Sequence, residues 1–183
     1  MIQTLESSGP FGLVEHAQAI SLQGFKLRGQ LHSWASTYHT NDIFRHPAIA
    51  QVPSASSSTE RGHDEIQLLA ETFFSATSIY LSGVFDYDIC HWQSLLLPVP
   101  TLSEDEIQQH VASIFCLSQR LAETTISPLL LLFPLRVASA RAWQASQKQQ
   151  IMESLRMIAS SFAVAGAFIA DIEDLWDHNS TGT

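Results

Sequence analysis

Four side chains in this sequence are the leading candidates to move a proton: His32, Asp86, Asp88 and His91. Imidazoles titrate near neutrality and serve as acid or base, and a carboxyl does the same when its surroundings shift it. Arg28, His32 and His39 fall on one stripe of a helical pattern, so His32 has a cation one turn away; a plain surface stripe is the bland alternative. Asp86 to Trp92 reads Asp-Tyr-Asp-Ile-Cys-His-Trp, the densest mixture of aromatic and ionisable groups in the chain. Its acids read first as caps or ion-pair partners, because a helix ends there; a metal site is the lesser alternative, and no metal is expected.

Arg136 is the charge near the middle of the most apolar run, Leu129 to Trp143. A guanidinium buried without a partner costs several kcal/mol, so a carboxylate is expected against it, with Asp86 or Asp88 the natural choice. The alternative is that Arg136 holds a ligand. Six aromatic side chains, Trp34, Tyr38, Tyr80, Tyr87, Trp92 and Trp143, together with Arg28 and Arg136, form the candidate lining of a pocket for a flat apolar molecule. Aromatic residues at helical spacing are also ordinary core residues.

The elements that must position these groups are all helical. Leu13, Ala17, Ile20, Gly24, Leu27, Leu31, Trp34 and Tyr38 recur at steps of three and four. Gly24 and Gly29 weaken that helix and suggest close approach of a helix or ligand. A short helix is expected at Asn41 to Arg45, before Pro47. Residues 51–62 are Ser-rich and read as a mobile loop. From His63 to Tyr87 the period returns through Ile66, Leu69, Phe73, Ala76, Tyr80 and Val84, and Phe74, Leu81 and Phe85 widen the apolar face, so this second long helix is expected to be buried on most sides. Leu97-Pro98-Val99-Pro100 reads as an extended linker. Ser103 and Glu106 form a capping box for the next helix. Ser127-Pro128 opens the apolar run, where Pro134 should kink or split it, and Ser146 is expected to cap a last long helix through Trp176. The expected fold is all-α, a single bundle of about six helices around a buried central helix at Pro128–Trp143. Residues 1–10 and 177–183 are expected to be disordered, with one domain over 11–176.

Composition narrows the function further. A net charge of −9, with nine scattered Lys and Arg, argues against gripping a phosphate backbone. Cys90 and Cys116, the only cysteines, fit a reduced intracellular protein and read as packed thiols. No signal peptide and no membrane span are expected, since the apolar run is shorter than the roughly 20 residues a bilayer needs. There is no nucleophile elbow, phosphate loop, dinucleotide fingerprint or His-Glu-x-x-His motif, so no cofactor is expected.

Three stretches, IYLSGVFDYDICHW (79–92), Leu129 to Trp143 and IASSFAVAGAFIADIEDLW (158–176), resemble the C-terminal regulatory region of fungal zinc-cluster transcription factors. With the linker PVPTLSEDEIQQH, the similarity spans 79–176. It implies the all-helical fold of those domains and a fungal source. The departure is the missing reader: two cysteines cannot build the six-cysteine zinc cluster, and no basic recognition segment is present. Stand-alone relatives of this kind occur beside fungal polyketide and terpenoid pathways, which implies a small-molecule role.

Two functions follow. The first is a cofactor-independent cyclase or isomerase that folds an apolar polyketide- or terpenoid-type intermediate, with His32, Asp86, Asp88 and His91 moving the proton. The second is an effector-binding or co-regulatory module without DNA-binding activity of its own. A truncated regulator fragment is a third. The expected partners are a small apolar or aromatic ligand and either a second copy or a regulator protein. The expected location is cytoplasmic, or nuclear for a regulator.

Overall fold

The computed structural model describes residues 10–39 and 56–181, with side chains over 14–37 and 62–178. The fold is all-α, and no strand occurs among the described residues. Among the described residues seven helices follow in order: α1 Pro10–His39, α2 Ser56–Asp86, α3 Ile89–Ser94, α4 Glu104–Ala122, α5 Leu132–Ser139, α6 Ala145–Ala159 and α7 Val164–Thr181. A 3-10 turn, Pro128–Leu131, leads into α5. The expected helix at Asn41 to Arg45 lies outside the described residues.

The element the others gather on is α2, not the Leu129–Trp143 run. Helices α1, α4 and α5 all pack on α2, while α5 in turn touches α4, α6 and α7. The buried face of α2 is Leu68, Thr72, Ser75, Ala76, Ile79, Ser82 and Phe85. Its small residues let the α4 backbone come close, and Ile107, Val111, Ile114 and Leu121 of α4 complete the core. Thr72 satisfies its own hydroxyl by donating to the Leu68 carbonyl at 2.7 Å.

This corrects the expected face of α2. Of the predicted stripe only Ala76 is fully buried; Ile66, Tyr80 and Val84 are 54%, 59% and 56% exposed. Both stripes have helical period, and the bulkier one faces away from α4. Helix α2 also has the length and composition of a bilayer-crossing helix over Gly62–Asp86, with mean hydropathy 1.3.

The apolar run is shorter and more divided than expected. Leu131, Leu132, Leu135 and Ala138 are buried, whereas Leu130 and Phe133 face outward. Pro134 does not kink the helix. It sits in the first turn of α5, where its missing N–H costs nothing, and the break falls just before it, at the junction with the 3-10 turn. The helix ends at Ser139, so Trp143 lies beyond it and is 62% exposed.

Other boundaries also move. Ser56 to Gly62, expected as loop, is the first part of α2. The last long helix is two: α6 is capped by Gln144 rather than Ser146, through a capping box with Gln147, and the chain turns at Ser160–Ala163 before α7. Helix α7 runs to Thr181, past the Asp177 at which it was expected to end, and α1 already begins at Pro10. The capping box of α4 is present as expected: Glu106 N–H donates to Ser103 Oγ, and Glu106 Oε2 accepts from the Ser103 N–H at 2.7 Å. Cys90 and Cys116 are exposed, not packed. Cys116 lies opposite the Ile107–Val111–Ile114–Leu121 stripe, half a turn away from the core side of α4.

Helix α1 crosses α2 at Gly24. A Cβ there would stand 2.4 Å from Phe85 Cζ and 2.9 Å from Pro100 Cγ, so only glycine allows this approach. Gly29 is different, with nothing within 4 Å of a Cβ built there. Two further contacts pin α1 to the 97–103 linker: the Ser21 hydroxyl donates to the Pro98 carbonyl, and Arg28 Nη1 donates to the Thr101 carbonyl at 3.1 Å.

Candidate functional site

The uncovered stripe of α2 is the floor of an open groove. Midway along the helix, Leu69 and Phe73 lie between α1, represented by Leu31 and Trp34, and Leu130 of the 3-10 turn, around a hollow of about 440 Å³. Further along, Tyr80 and Val84 face Phe133 and Val137 of α5 around a second hollow of about 510 Å³. The two meet where Phe133 stands 6.0 Å from Phe73 and 6.1 Å from Tyr80, ring centre to ring centre. From Ile66 to Val84 the floor is about 27 Å long at 1.5 Å per residue. Its polar points are few: Thr77, and Arg136 and Arg141 at the far end.

Both arginines are already paired. Arg136 Nε lies 2.5 Å from Asp171 Oδ2 of α7. The expected partners Asp86 and Asp88 are not its partners: from α5 Arg136 reaches α7, whereas Arg141, in the turn after α5, reaches the end of α2. Arg141 Nη2 reaches Asp86 Oδ2 at 3.0 Å. Asp86 Oδ2 also accepts from Ser82 Oγ at 3.0 Å, and Ser82 Oγ accepts the Leu102 N–H at 2.9 Å. The expected clamp between helices therefore exists, but with Arg141 as its cation.

A third, more enclosed hollow of about 110 Å³ is bounded by α1, α2, α4 and the linker. Arg28 and His32 enter it from α1, Phe74 and Ser78 from α2, and Glu106 and His110 from α4. Phe74 is edge-on to both imidazoles, with centroids 5.3 Å from His32 and 5.8 Å from His110. Burial holds the His110 pKa below the usual histidine range, Glu106 pulls it back up, and His32 and Arg28 press it down. Glu106 is held below the usual carboxylate range, chiefly by hydrogen bonds from the Ser103 N–H and hydroxyl.

The proton movers expected to act together are apart. His32 is in the enclosed hollow, Asp86 is tied to Arg141, Asp88 is exposed before α3, and His91 lines a separate open hollow with Val14, His16, Ile20 and Trp92. The aromatic set divides too. Trp34 and Tyr80 line the α2 groove, Trp92 packs 5.5 Å from Phe85, and Tyr87 and Trp143 are exposed. The side chain of Tyr38 lies outside the described residues. Among the described residues no group of three or more His, Cys, Asp and Glu could hold a metal ion.

His110, Phe133 and Arg141 were missed from the sequence, and Phe74 was read only as part of an apolar face. His110 had one readable signal, its position one turn after Glu106 of the capping box. No protein-family model matches the chain, and no curated protein or solved structure matches it.

Proposed function

We propose that the chain is an effector-binding module of regulatory type, related to the C-terminal domains of fungal zinc-cluster regulators, and that its effector is an elongated apolar small molecule lying along α2. One observation carries this reading. The bulkiest apolar stripe of the most central helix is left open, between two walls that are themselves apolar. Pockets of about 300–1,000 Å³, mostly apolar with a few placed polar groups, are typical small-molecule sites. Covering half-exposed side chains the size of Ile66, Tyr80, Val84 and Phe133 returns about 1 kcal/mol each before association costs.

The cyclase reading draws less support. Acid–base catalysis needs its donor and acceptor within hydrogen-bond reach of one substrate, and His32, Asp86, Asp88 and His91 face different hollows. The large groove has no His, Asp or Glu in its lining, and both of its arginines are in ion pairs. Nine scattered Lys and Arg in a chain of charge −9 suit a module that acts through a ligand or a partner rather than through DNA.

Titration with Nile red, a neutral solvatochromic dye, tests the reading. Saturable binding with blue-shifted emission is expected, weakened at least about tenfold in Phe133→Asp and unchanged in Tyr87→Ala. Binding of equal strength in all three proteins overturns it.

A further inference from the structure

The enclosed hollow under α1 has chemistry that the apolar groove lacks. Three potential cations, Arg28, His32 and His110, surround one aromatic ring, Phe74. Within the described residues, Arg28 spends one donor on the Thr101 carbonyl, which leaves most of its five N–H groups. The ring nitrogens of His32 and His110 and the hydroxyl of Ser78 make no hydrogen bond to the described protein. These donors converge from three helices on a space of about 110 Å³, room for about three or four waters. The remaining wall is hydrocarbon, from Leu81 and Leu102.

We propose that this hollow is a second binding site, for a small aliphatic monocarboxylate of about three to five carbons. The carboxylate takes donors from Arg28, His32 and His110, and the short chain lies against Phe74, Leu81 and Leu102. The site is separate from the α2 groove, with which it shares only Leu31 as a wall.

Glu106 is the one acid on the hollow and sets the terms of binding. Its Oε2 already accepts from Ser103 N at 2.7 Å and Ser103 Oγ at 2.8 Å, so it stays ionised and opposes an incoming carboxylate. The titratable and charged groups facing the site are Arg28 and His32 from α1 and Glu106 and His110 from α4; α2 and the linker supply none. Binding therefore draws a proton onto an imidazole, and affinity rises as pH falls through the histidine range.

Calorimetric titration of the full chain with n-butyrate, and with uncharged n-butyramide as control, tests the site. Expected are saturable butyrate binding, no binding of butyramide, tighter binding at about pH 6 than at about pH 8, and proton uptake seen by repeating the titration in a second buffer. Arg28→Met should weaken binding at least about tenfold. Glu106→Gln keeps an acceptor for the capping box, so it folds, and it should tighten binding about threefold or more. Equal affinity for butyramide, no effect of Arg28→Met, or weaker binding in Glu106→Gln would overturn the proposal. None of these results bears on Nile red binding in the groove, so the two sites stand or fall separately.

Discussion

The Arg141 guanidinium lies 3.0 Å from the Asp86 carboxylate, closing the end of α5 onto the end of α2. The pair is about a quarter exposed on each side, 29% and 25%, and Asp86 is further held by Ser82. A double-mutant cycle with Asp86→Asn and Arg141→Met should give a coupling of about 1 kcal/mol in denaturant unfolding, the upper part of the range for partly exposed pairs. The same cycle on Arg136 and Asp86 should give none, because Arg136 is with Asp171. Coupling in the second cycle but not the first would contradict the pairing.

Two glycines of one helix should respond with opposite sign. Gly29→Ala meets open space and gains helix propensity, so it should raise stability by up to about 1 kcal/mol. Gly24→Ala gains the same propensity but drives a methyl into Phe85 and Pro100, and should lower stability by about 1–3 kcal/mol. Thermal melts of the two variants decide it. Equal shifts would mean that α1 does not cross α2 at Gly24.

The apolar run should be sensitive on one face only. Leu135 is fully buried, so Leu135→Ala should cost about 2–5 kcal/mol. Leu130 is 43% exposed, and Leu130→Ala should cost less than about 1 kcal/mol. Urea midpoints measure both. Similar losses would restore the picture of a rod buried on every side.

His110 makes stability depend on pH in a defined direction. Its folded pKa is below the unfolded value near 6.5, with burial the largest cause, so the unfolded chain binds the proton more readily. The neutral-state stability is complete above the unfolded pKa and is lost as pH falls below it toward the folded pKa. Between about pH 7.5 and 5.5 the native chain should therefore lose stability, and His110→Gln should flatten that part of the curve. Glu106, depressed chiefly by Ser103, contributes in the lower window, as pH falls below the ordinary carboxylate value of 4.5. An unchanged slope in His110→Gln between about pH 7.5 and 5.5 would contradict the burial of this imidazole.

What could be read from the sequence was local. The Ser103–Glu106 box is four residues of chemistry, and the helical period of α1, α2 and α4 is written in their own residues. Which face of α2 is inside is not local. Ile66–Tyr80–Val84 and Leu68–Ala76–Ile79 have the same period, and the choice depends on how near α4 can come, which the small Ser75, Ala76 and Ser82 decide. Arg136 lies on α5 and Arg141 in the turn just after it, so naming the wrong one sends the ion pair to the wrong neighbour. The turn after α6 carries no Pro or Gly signal; Ser160 there bonds the Met157 carbonyl and competes with the ladder. His110 meets Arg28 and His32 only through the packing of α1 and α4 on α2, a juxtaposition about 80 residues apart in sequence that no spacing rule expresses.

The central claim is that the open stripe of α2 is a ligand seat. Methyl NMR of the full chain during a Nile red titration tests it most directly. The account predicts saturable shifts at Ile66, Leu69, Val84, Leu130 and Val137, with Val14, Ile20 and Leu95 around the His91 hollow unmoved. Shifts at the second set with the first silent, or small shifts spread over every surface methyl, would contradict it.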